Sequence, residues 1–338
     1  MTTSSAAPPT PDTAPAPPPR PVGTRRVGDR AFRATTAGAA VLLIGVLVAT
    51  AVFLVVQSWP SIRHYGFLSA LTSQRWAPSE ADAAASHPNP YGIVQFIYGT
   101  LLTSVIGMLI AVPVSVALAL YITDVAPRRA RTPLSYLVDL LAAIPSVVYG
   151  FWGIFALVPA LKPVVKFLTN TLGKIPGIGG VFAGPFFGVS YFTAGVILAI
   201  MVTPIVTAIC REVFAVAPTS EKEAALALGA TRWEMIRLAV LPRSRIGIVG
   251  AAILGLGRAI GETIAVTMVI GNNVLSITKS IFGQGATMPS VIANEFTEAN
   301  QPFHLESLFV VAFWLLIFAL LVNVIGKTIV GRIDRSIA

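Results

Sequence analysis

Six long stretches of the 338-residue sequence carry almost no charged side chains, and they restrict the chain to few fold classes. Each can hold the roughly 20 apolar residues with which a helix crosses the hydrocarbon core of a bilayer. An ordinary soluble domain is excluded, since 55% of the residues are hydrophobic and 12% are charged. The sequence therefore predicts an all-α polytopic membrane protein with six transmembrane helices. The stretches are residues 34–62, 83–123, 134–161, 175–210, 246–278 and 307–326.

The positive charges indicate how the helices are oriented. The formal net charge is +9, and most of the 24 Lys and Arg residues lie before the first stretch or after the second, fourth and sixth. Cytoplasmic segments carry such an excess, so both termini are expected in the cytoplasm. Topology thus explains the basicity, and we expect membrane lipid rather than nucleic acid as the partner of the chain.

The N-terminal residues differ in composition from the rest of the chain. Residues 1–22 consist mainly of Pro, Ala, Thr and Ser, and such a composition cannot bury a hydrophobic core. We therefore expect residues 1–30 to form a disordered, Pro/Ala-rich cytoplasmic tail. Residues 31–338 are then the transmembrane domain.

The fifth stretch contains two charged residues near its centre, Arg258 and Glu262. A central Arg in a membrane helix is unfavourable by about 2.5–3.5 kcal/mol on insertion scales. On one continuous helix the two side chains would share a face and could form a self-contained ion pair. The alternative is a charged site in a solute pathway, because intramembrane ionisable residues usually face a bundle interior or an aqueous cavity. We favour the pathway.

Polar residues in other stretches are further candidates for the pathway lining. Pro145 cannot donate a backbone hydrogen bond, so we expect a kink that frees the groups after it to face a cavity. Hydroxyl groups in membrane helices more often serve helix packing, and that simpler role stays open for each candidate. The candidates are Thr103, Ser104, Ser146, Tyr149 and Thr203.

Small residues recur along the fifth stretch, at Gly250, Gly257, Gly261 and Ala265. This spacing suits the close approach of another helix, since small side chains let two helix backbones come together. We therefore expect the glycines to serve helix packing rather than to bind a solute.

Residues 211–245 form the longest predicted cytoplasmic segment, and they contain two signals for a helix start. Ser220 with Glu223, and Thr231 with Glu234, fit the S/T-x-x-E capping box. The hydroxyl and the carboxylate of such a pair satisfy the free amides of a first helical turn. The segment is therefore predicted to be a helix, a turn and a second helix.

The ends and the surface of these two short helices can also be read from the sequence. Gly229 suits a left-handed end of the first helix, and Pro242 is expected to stop the second. Both helices carry apolar residues but are too short to be stable alone, so they need a surface to pack against. That surface is either the bilayer itself or a groove on a cytoplasmic subunit.

The same segment contains a longer motif. Glu223-Ala224-Ala225 is followed by three residues, Gly229, nine residues, and Ala239-Val240-Leu241-Pro242. This motif is very similar to the EAA loop of ABC-importer permeases, EAA-x3-G-x9-I-x-L-P, with Ala239 in place of Ile. In that family the loop is a coupling helix that inserts into the ATP-hydrolysing subunit. The resemblance implies a type I ABC importer permease fold and assigns ATPase coupling to Glu223, Ala224, Ala225, Gly229, Leu241 and Pro242.

Two further stretches narrow the resemblance. Residues 255–273, GLGRAIGETIAVTMVIGNN, resemble the C-type permease subunit of bacterial phosphate (Pst) importers, and so do residues 143–150. The A-type subunit shares the GRAIGE core but usually continues differently, so residues 265–272 favour the C-type. The similarity covers roughly residues 30–338. It implies import of inorganic phosphate across the bacterial plasma membrane by ATP-driven alternating access.

The resemblance also implies partners. These are a second, A-type permease, a dimer of cytoplasmic ATP-binding subunits and an extracytoplasmic phosphate-binding protein. The chain itself is then no enzyme and binds no cofactor, because ATP and Mg²⁺ belong to the ATPase. Phosphate suits Arg258, whose guanidinium offers two parallel donors and stays charged. A permease for sulfate or molybdate stays open as an alternative, as does a carrier or channel working alone.

The sequence offers little support for an enzyme or a metal site. It contains no G-x-S-x-G or H-E-x-x-H motif, so no nucleophile and base arrangement is indicated. His64, His87 and His304 lie far apart and have no metal-ligand spacing. We therefore expect translocation rather than catalysis, and no metal ligands.

Overall fold

The computed structural model describes residues 25–77 and 92–335, and most of these residues are helical. The predicted tail over residues 1–24 lies outside the described residues, whereas residues 25–30, also assigned to the tail, form the start of the first helix. The helices are α1 (Arg25–Tyr65), α2 (Val94–Leu120), α3 (Arg128–Ala143), α4 (Ser146–Trp152), α5 (Val158–Thr171), α6 (Gly179–Phe182), α7 (Tyr191–Ala215), α8 (Thr219–Ala227), α9 (Arg232–Met235), α10 (Leu241–Gly261), α11 (Ile264–Ile270), α12 (Met288–Glu295) and α13 (Pro302–Arg335).

Six helical segments among the described residues are long and apolar enough to cross a membrane. This number confirms the prediction from the uncharged stretches. Two of the segments combine two α-helices with the π-helical turn between them. The ends of the segments differ from the predicted ones. The segments are Gly28–Arg63, Val94–Val125, Ser146–Lys174, Tyr191–Ala215, Arg232–Gly261 and Pro302–Arg332.

The third span begins later than predicted. We expected one helix over residues 134–161, but α3 ends at Ala143 and α4 begins at Ser146. Ile144 has φ −66° and ψ 128°, an extended conformation that the bulk of a following proline favours. Pro145 also lacks the N–H that a continuous helix requires. Pro145 therefore marks a complete break rather than the expected kink.

The fifth span is shifted toward the N-terminus and is interrupted. We expected one apolar helix over residues 246–278, but the span is Arg232–Gly261 and α11 is a separate short helix. Pro242 does not stop the second cytoplasmic helix as predicted. It lies in the first turn of α10, directly after the π-helical turn Ile236–Val240. A residue without an N–H is tolerated at that position, so the helix runs on from α9 into α10.

The described chain divides into two compact units after Val52. In the first unit, α1 exposes the side chains of residues 28–50. In the second unit, α2 packs along α7, and both contact α10; α11 packs against α4 and α7. The core between these helices is apolar and includes Ile197, Leu198 and Val202 of α7. This arrangement places α2 and α7 beside the helix that carries Arg258.

Residues 271–287, between α11 and α12, fold back onto the helices instead of extending away from them. A Cβ on Gly99 of α2 would collide with the carbonyl oxygen of Ala286, and a Cβ on Gly285 would collide with the Tyr191 hydroxyl. Glycine is required at both positions because backbone and ring approach so closely. The loop is therefore part of the packed structure.

Candidate functional site

The two charged residues of the fifth span lie at the break between α10 and α11. Arg258 is in the last turn of α10, and Glu262 is the first residue after it, with φ −71° and ψ 123°. The expectation that both belong to one continuous helix is therefore wrong. Nη2 of Arg258 is nevertheless 3.9 Å from Oε2 of Glu262. The ion pair thus spans the end of a helix.

Glu262 has a second partner in α11. Its side chain is only 8% exposed, and Oε1 lies 3.5 Å from the backbone nitrogen of Ala265 in the first turn of that helix. Negative charge is favourable at a helix N-terminus, where the backbone N–H groups are free. Glu262 therefore has a contact at the start of α11 in addition to its contact with Arg258.

Arg258 has a more open environment. Its side chain is 44% exposed, and it shares an exposed face of α10 with Leu254, Gly257 and Gly261. A Cβ on Gly250, Gly257 or Gly261 would meet no atom within 4 Å. Within the described part of the chain, these glycines do not serve the close packing that we expected. We name Leu254, Gly257, Arg258 and Gly261 the open face of α10.

Three of the five further lining candidates use their hydroxyl groups within the structure. Thr103 donates to the Gly99 carbonyl at 2.8 Å, and Thr203 donates to the Ala199 carbonyl at 2.7 Å. The Tyr149 hydroxyl donates to the carbonyl oxygen of Leu141 at 2.8 Å and so bridges the break between α3 and α4. These bonds match the simpler, structural role of such hydroxyls.

The other two candidates are placed differently. Ser104 is buried in α2, and its hydroxyl has no hydrogen-bond partner among the described residues. Ser146 is half-buried and begins α4 after the break.

Thr203 lines a cavity of 250 Å³ together with apolar residues, among them Val138 and Leu141. The described contacts join none of the five to the α10 break.

The predicted coupling segment forms the expected helix, turn and helix, α8 and α9. Gly229 has φ 87°, the left-handed conformation predicted for the end of α8. Thr231 and Glu234 form the expected capping box: the Thr231 hydroxyl accepts from the Glu234 amide, and the Glu234 carboxylate accepts from the Thr231 amide at 2.7 Å. These two local predictions are confirmed.

The other capping box is not formed. α8 begins at Thr219, directly after Pro218, so Ser220 lies inside the first turn instead of before it. A side chain in that position cannot take the N-cap role, and no side-chain bond caps this helix. The prediction for Ser220 and Glu223 is therefore wrong, because α8 begins two residues earlier than a cap at Ser220 requires, with Pro218 at the N-cap position.

The coupling segment has an exposed side and an anchored side. Glu223 and Ala224 are exposed, whereas Ala225 and Leu241 are half-buried and pack against the core; Pro242 is also half-buried. Four apolar side chains within the motif or shortly before it are exposed, and exposed apolar surface is a feature of interaction sites. They are Val216 (82% exposed), Leu228 (89%), Trp233 (62%) and Leu238 (68%).

Two contacts that the sequence did not predict join this segment to the π-helical turn Tyr121–Val125, which follows α2. Nζ of Lys222 donates to Oδ1 of Asp124 at 2.7 Å. Nη1 of Arg232 donates to the Val125 carbonyl at 3.5 Å. A lysine directly before the EAA motif was visible in the sequence, but nothing indicated a partner 98 residues away.

Comparison with known proteins identifies the relatives of this chain. Residues 111–338 match the family described as binding-protein-dependent transport system inner membrane component. The phosphate transport system permease protein PstC of Mesorhizobium japonicum is 42% identical, covering 90% of this chain and 91% of the relative. PstC of Haemophilus influenzae is 42% identical, covering 80% and 82%. PstC 2 of Mycobacterium tuberculosis is 40% identical, covering 90% and 93%.

The family match covers every span from the end of α2 onward, together with the coupling segment and the α10 break. The relatives extend the similarity over most of the chain at 40% identity or more. The chain therefore belongs to the family of binding-protein-dependent transport inner membrane components, and within it to the PstC permeases.

Proposed function

We propose that this chain imports inorganic phosphate as one membrane-spanning subunit of an ABC transporter. Its relatives are named phosphate transport system permeases. The observation that carries the proposal is Arg258, a guanidinium on the open face of α10 at a helix break. Such a group binds a tetrahedral oxyanion through two parallel hydrogen bonds. The relatives do not favour the sulfate, molybdate or stand-alone carrier alternatives.

The open face of α10 supports a second permease as the other half of the pathway. Lipid is a poor partner for a guanidinium in the membrane, because the hydrocarbon offers it no hydrogen bonds. Small residues at Gly257 and Gly261 leave room for another helix to approach. In the proposed complex, phosphate passes between this face and the corresponding face of an A-type subunit.

The proposed source of energy is a pair of cytoplasmic ATP-binding subunits, which hold ATP and Mg²⁺ while this chain binds neither. Their closure displaces the coupling segment, whose EAA residues Glu223 and Ala224 are exposed. The span Arg232–Gly261 then carries the displacement to Arg258. Arg258 lies about 24 Å beyond Pro242 at 1.5 Å per residue. An extracytoplasmic phosphate-binding protein delivers the substrate, and both termini lie in the cytoplasm.

Glu262 has a proposed role in release. It holds the Arg258 guanidinium when the pathway is empty, and phosphate competes for that guanidinium during transit. The 3.9 Å separation exceeds the 2.7–2.9 Å of a strong charge-assisted bond, so the pair is open to competition. Binding weak enough for release is required of any site in a conduction pathway.

Reconstitution of the full complex tests the proposed function. The second permease, the ATPase and the binding protein are incorporated with this chain into vesicles. We expect phosphate, presented by the binding protein, to stimulate ATP hydrolysis and to accumulate inside. A larger response to sulfate would overturn the substrate assignment, and uptake by this chain alone would overturn the subunit role.

Substitutions at the break test the roles of its two charges. We expect Arg258→Lys to lower phosphate uptake by about tenfold, because an ammonium loses one charge-assisted hydrogen bond of about 1.5 kcal/mol. Glu262→Gln is expected to slow turnover by a smaller factor. Arg128→Lys, at the exposed start of α3, is the matched control and should transport normally. Normal transport by both Arg258→Lys and Glu262→Gln in assembled complexes would refute these roles.

A further inference from the structure

Asp124 and Lys222 form an ion pair that is largely withdrawn from solvent. Nζ of Lys222 is 2.7 Å from Oδ1 of Asp124, and the two side chains are 18% and 6% exposed. The second carboxylate oxygen, Oδ2, accepts from the Thr123 hydroxyl at 2.8 Å. Removing Lys222 would leave a buried carboxylate without its cation, which is strongly unfavourable. The pair therefore holds its two segments together firmly.

The pair joins the coupling segment to the central helix of the permease. Asp124 lies in the π-helical turn Tyr121–Val125, which continues α2 directly. Lys222 lies on α8, next to the exposed Glu223 of the EAA motif. α2 in turn packs along α7 and α10. A force applied to α8 can therefore reach the membrane core through this contact.

The Lys222–Asp124 contact matters for α8 because neither end of this helix continues directly into a neighbouring helix. The turn at Leu228–Thr231 separates it from α9, and Gly229 within that turn adopts the left-handed conformation. At its other end, Pro218 precedes α8 and interrupts its continuity with α7. α9, in contrast, continues as a helix into α10. Ala225 packs α8 against the core, and the Lys222–Asp124 pair adds the charged contact that ties α8 to the turn following α2.

We propose that Asp124 and Lys222 are positioning residues that make α8 and α2 move as one body during the transport cycle. This inference rests on the proposed ATP-driven import of phosphate. If the coupling segment is not anchored, the ATP-binding subunits still hydrolyse ATP, but their closure moves α2 less. Fewer phosphate ions then cross the membrane for each ATP consumed. The defect is one of coupling and does not require loss of ATPase activity.

The same helix offers a matched control pair. Glu221, the residue before Lys222, lies 3.2 Å from Arg243 at the start of α10, and these side chains are 42% and 60% exposed. An exposed pair contributes little, since water and salt screen it. Both pairs join α8 to a membrane-spanning helix, but only Lys222 contacts a buried carboxylate. The two pairs therefore separate an anchoring role from a general effect of charge on α8.

The test compares variants in the reconstituted complex by measuring radiolabelled phosphate uptake and ATP hydrolysis together. We expect Asp124→Asn and Lys222→Gln to lower the phosphate-to-ATP ratio by about tenfold, given the large effect of breaking a buried pair. Glu221→Gln and Arg243→Gln should stay within about twofold of the parent. The double exchange Asp124→Lys with Lys222→Asp should restore most of the ratio.

The outcomes separate this inference from the proposed function. If the parent complex shows no phosphate-stimulated ATP hydrolysis, the proposed function fails. If the parent transports and both Asp124→Asn and Lys222→Gln keep its phosphate-to-ATP ratio, the positioning role is refuted. The role is also refuted if the single variants fail to assemble and the double exchange restores assembly without restoring the ratio, because the pair is then only structural.

Discussion

Arg258 and Glu262 differ in how firmly the structure holds them. The carboxylate is 8% exposed and faces both the guanidinium and the first turn of α11, whereas the guanidinium is 44% exposed. A buried charge that loses its partners is costly, while an exposed one can find new partners. Changes at Glu262 should therefore disturb the α10 break as well as transport, and changes at Arg258 should act mainly on transport.

The two S/T-x-x-E sequences of the coupling segment differ in whether they cap a helix, and this difference can be tested by substituting Thr231 and Ser220. Thr231→Ala removes a hydroxyl that accepts from the Glu234 amide, at an expected cost of about 1 kcal/mol. Hydrogen–deuterium exchange at residues 232–236 should then accelerate by about fivefold, the equivalent of that free energy. Ser220→Ala is the control, because no side-chain bond caps α8. Equal acceleration at both helix starts would contradict the assignment of the caps.

At the scale of elements, the breaks and π-helical turns decide how each span is built. Proline produces the break at Pro145, since it removes a donor and restricts Ile144. At Glu262 no proline is involved, and the chain leaves the helix where the carboxylate turns toward α11. The π-helical turn Ile236–Val240 has the opposite effect, because the helix continues through it into α10 despite Pro242.

The hydroxyl of Tyr149 gives a prediction about the α3–α4 break. Tyr149→Phe removes the 2.8 Å bond to the Leu141 carbonyl, and a bond of this kind contributes about 1 kcal/mol. We expect the thermal midpoint of the purified protein to fall by about 2 °C. Tyr136→Phe is the control, since Tyr136 is 65% exposed on α3. A midpoint unchanged by Tyr149→Phe, or lowered equally by both substitutions, would argue against a bridging role for this bond.

At the scale of the whole molecule, loop contacts hold distant parts of the second unit together. Trp76 donates to the Glu295 carboxylate at 2.9 Å, and His304 lies 2.8 Å from the same carboxylate. Residues 271–287 pack against α2 and α7 so closely that Gly99 and Gly285 cannot carry a side chain without displacement. The spans are therefore tied together by the segments between them as well as by their own apolar faces.

The contact at Gly99 can be tested directly. Gly99→Ala places a Cβ against the Ala286 carbonyl, so α2 and the loop must separate, at an expected cost of about 1–3 kcal/mol. We expect a lower thermal midpoint and a smaller monodisperse fraction in size-exclusion chromatography. Gly180→Ala in α6 should change neither, because a Cβ there meets no atom within 4 Å. Parental behaviour of Gly99→Ala would show that the loop is not packed against α2 in this way.

Local features of the chain could be predicted because their causes lie within a few residues. Six apolar segments follow from hydropathy, the Thr231 cap from a hydroxyl and a carboxylate three residues apart, and the Gly229 turn from the absence of a side chain. Pro145 and Pro242 show the limit of such signals. Each has the same missing N–H, yet one ends a helix and the other lies within its first turn.

The sequence by itself thus determined the class of the protein, the number of its spans, the coupling motif and the presence of Arg258 in an apolar stretch. The tertiary structure alone decided that Glu262 turns toward α11, that the loop 271–287 packs against α2, and that Lys222 pairs with Asp124. Hydropathy and capping depend on neighbours along the chain, whereas these contacts depend on which helices pack together. A pair 98 residues apart leaves no periodic signal, because only the folded chain brings α8 and the turn after α2 together, with the two charges 2.7 Å apart.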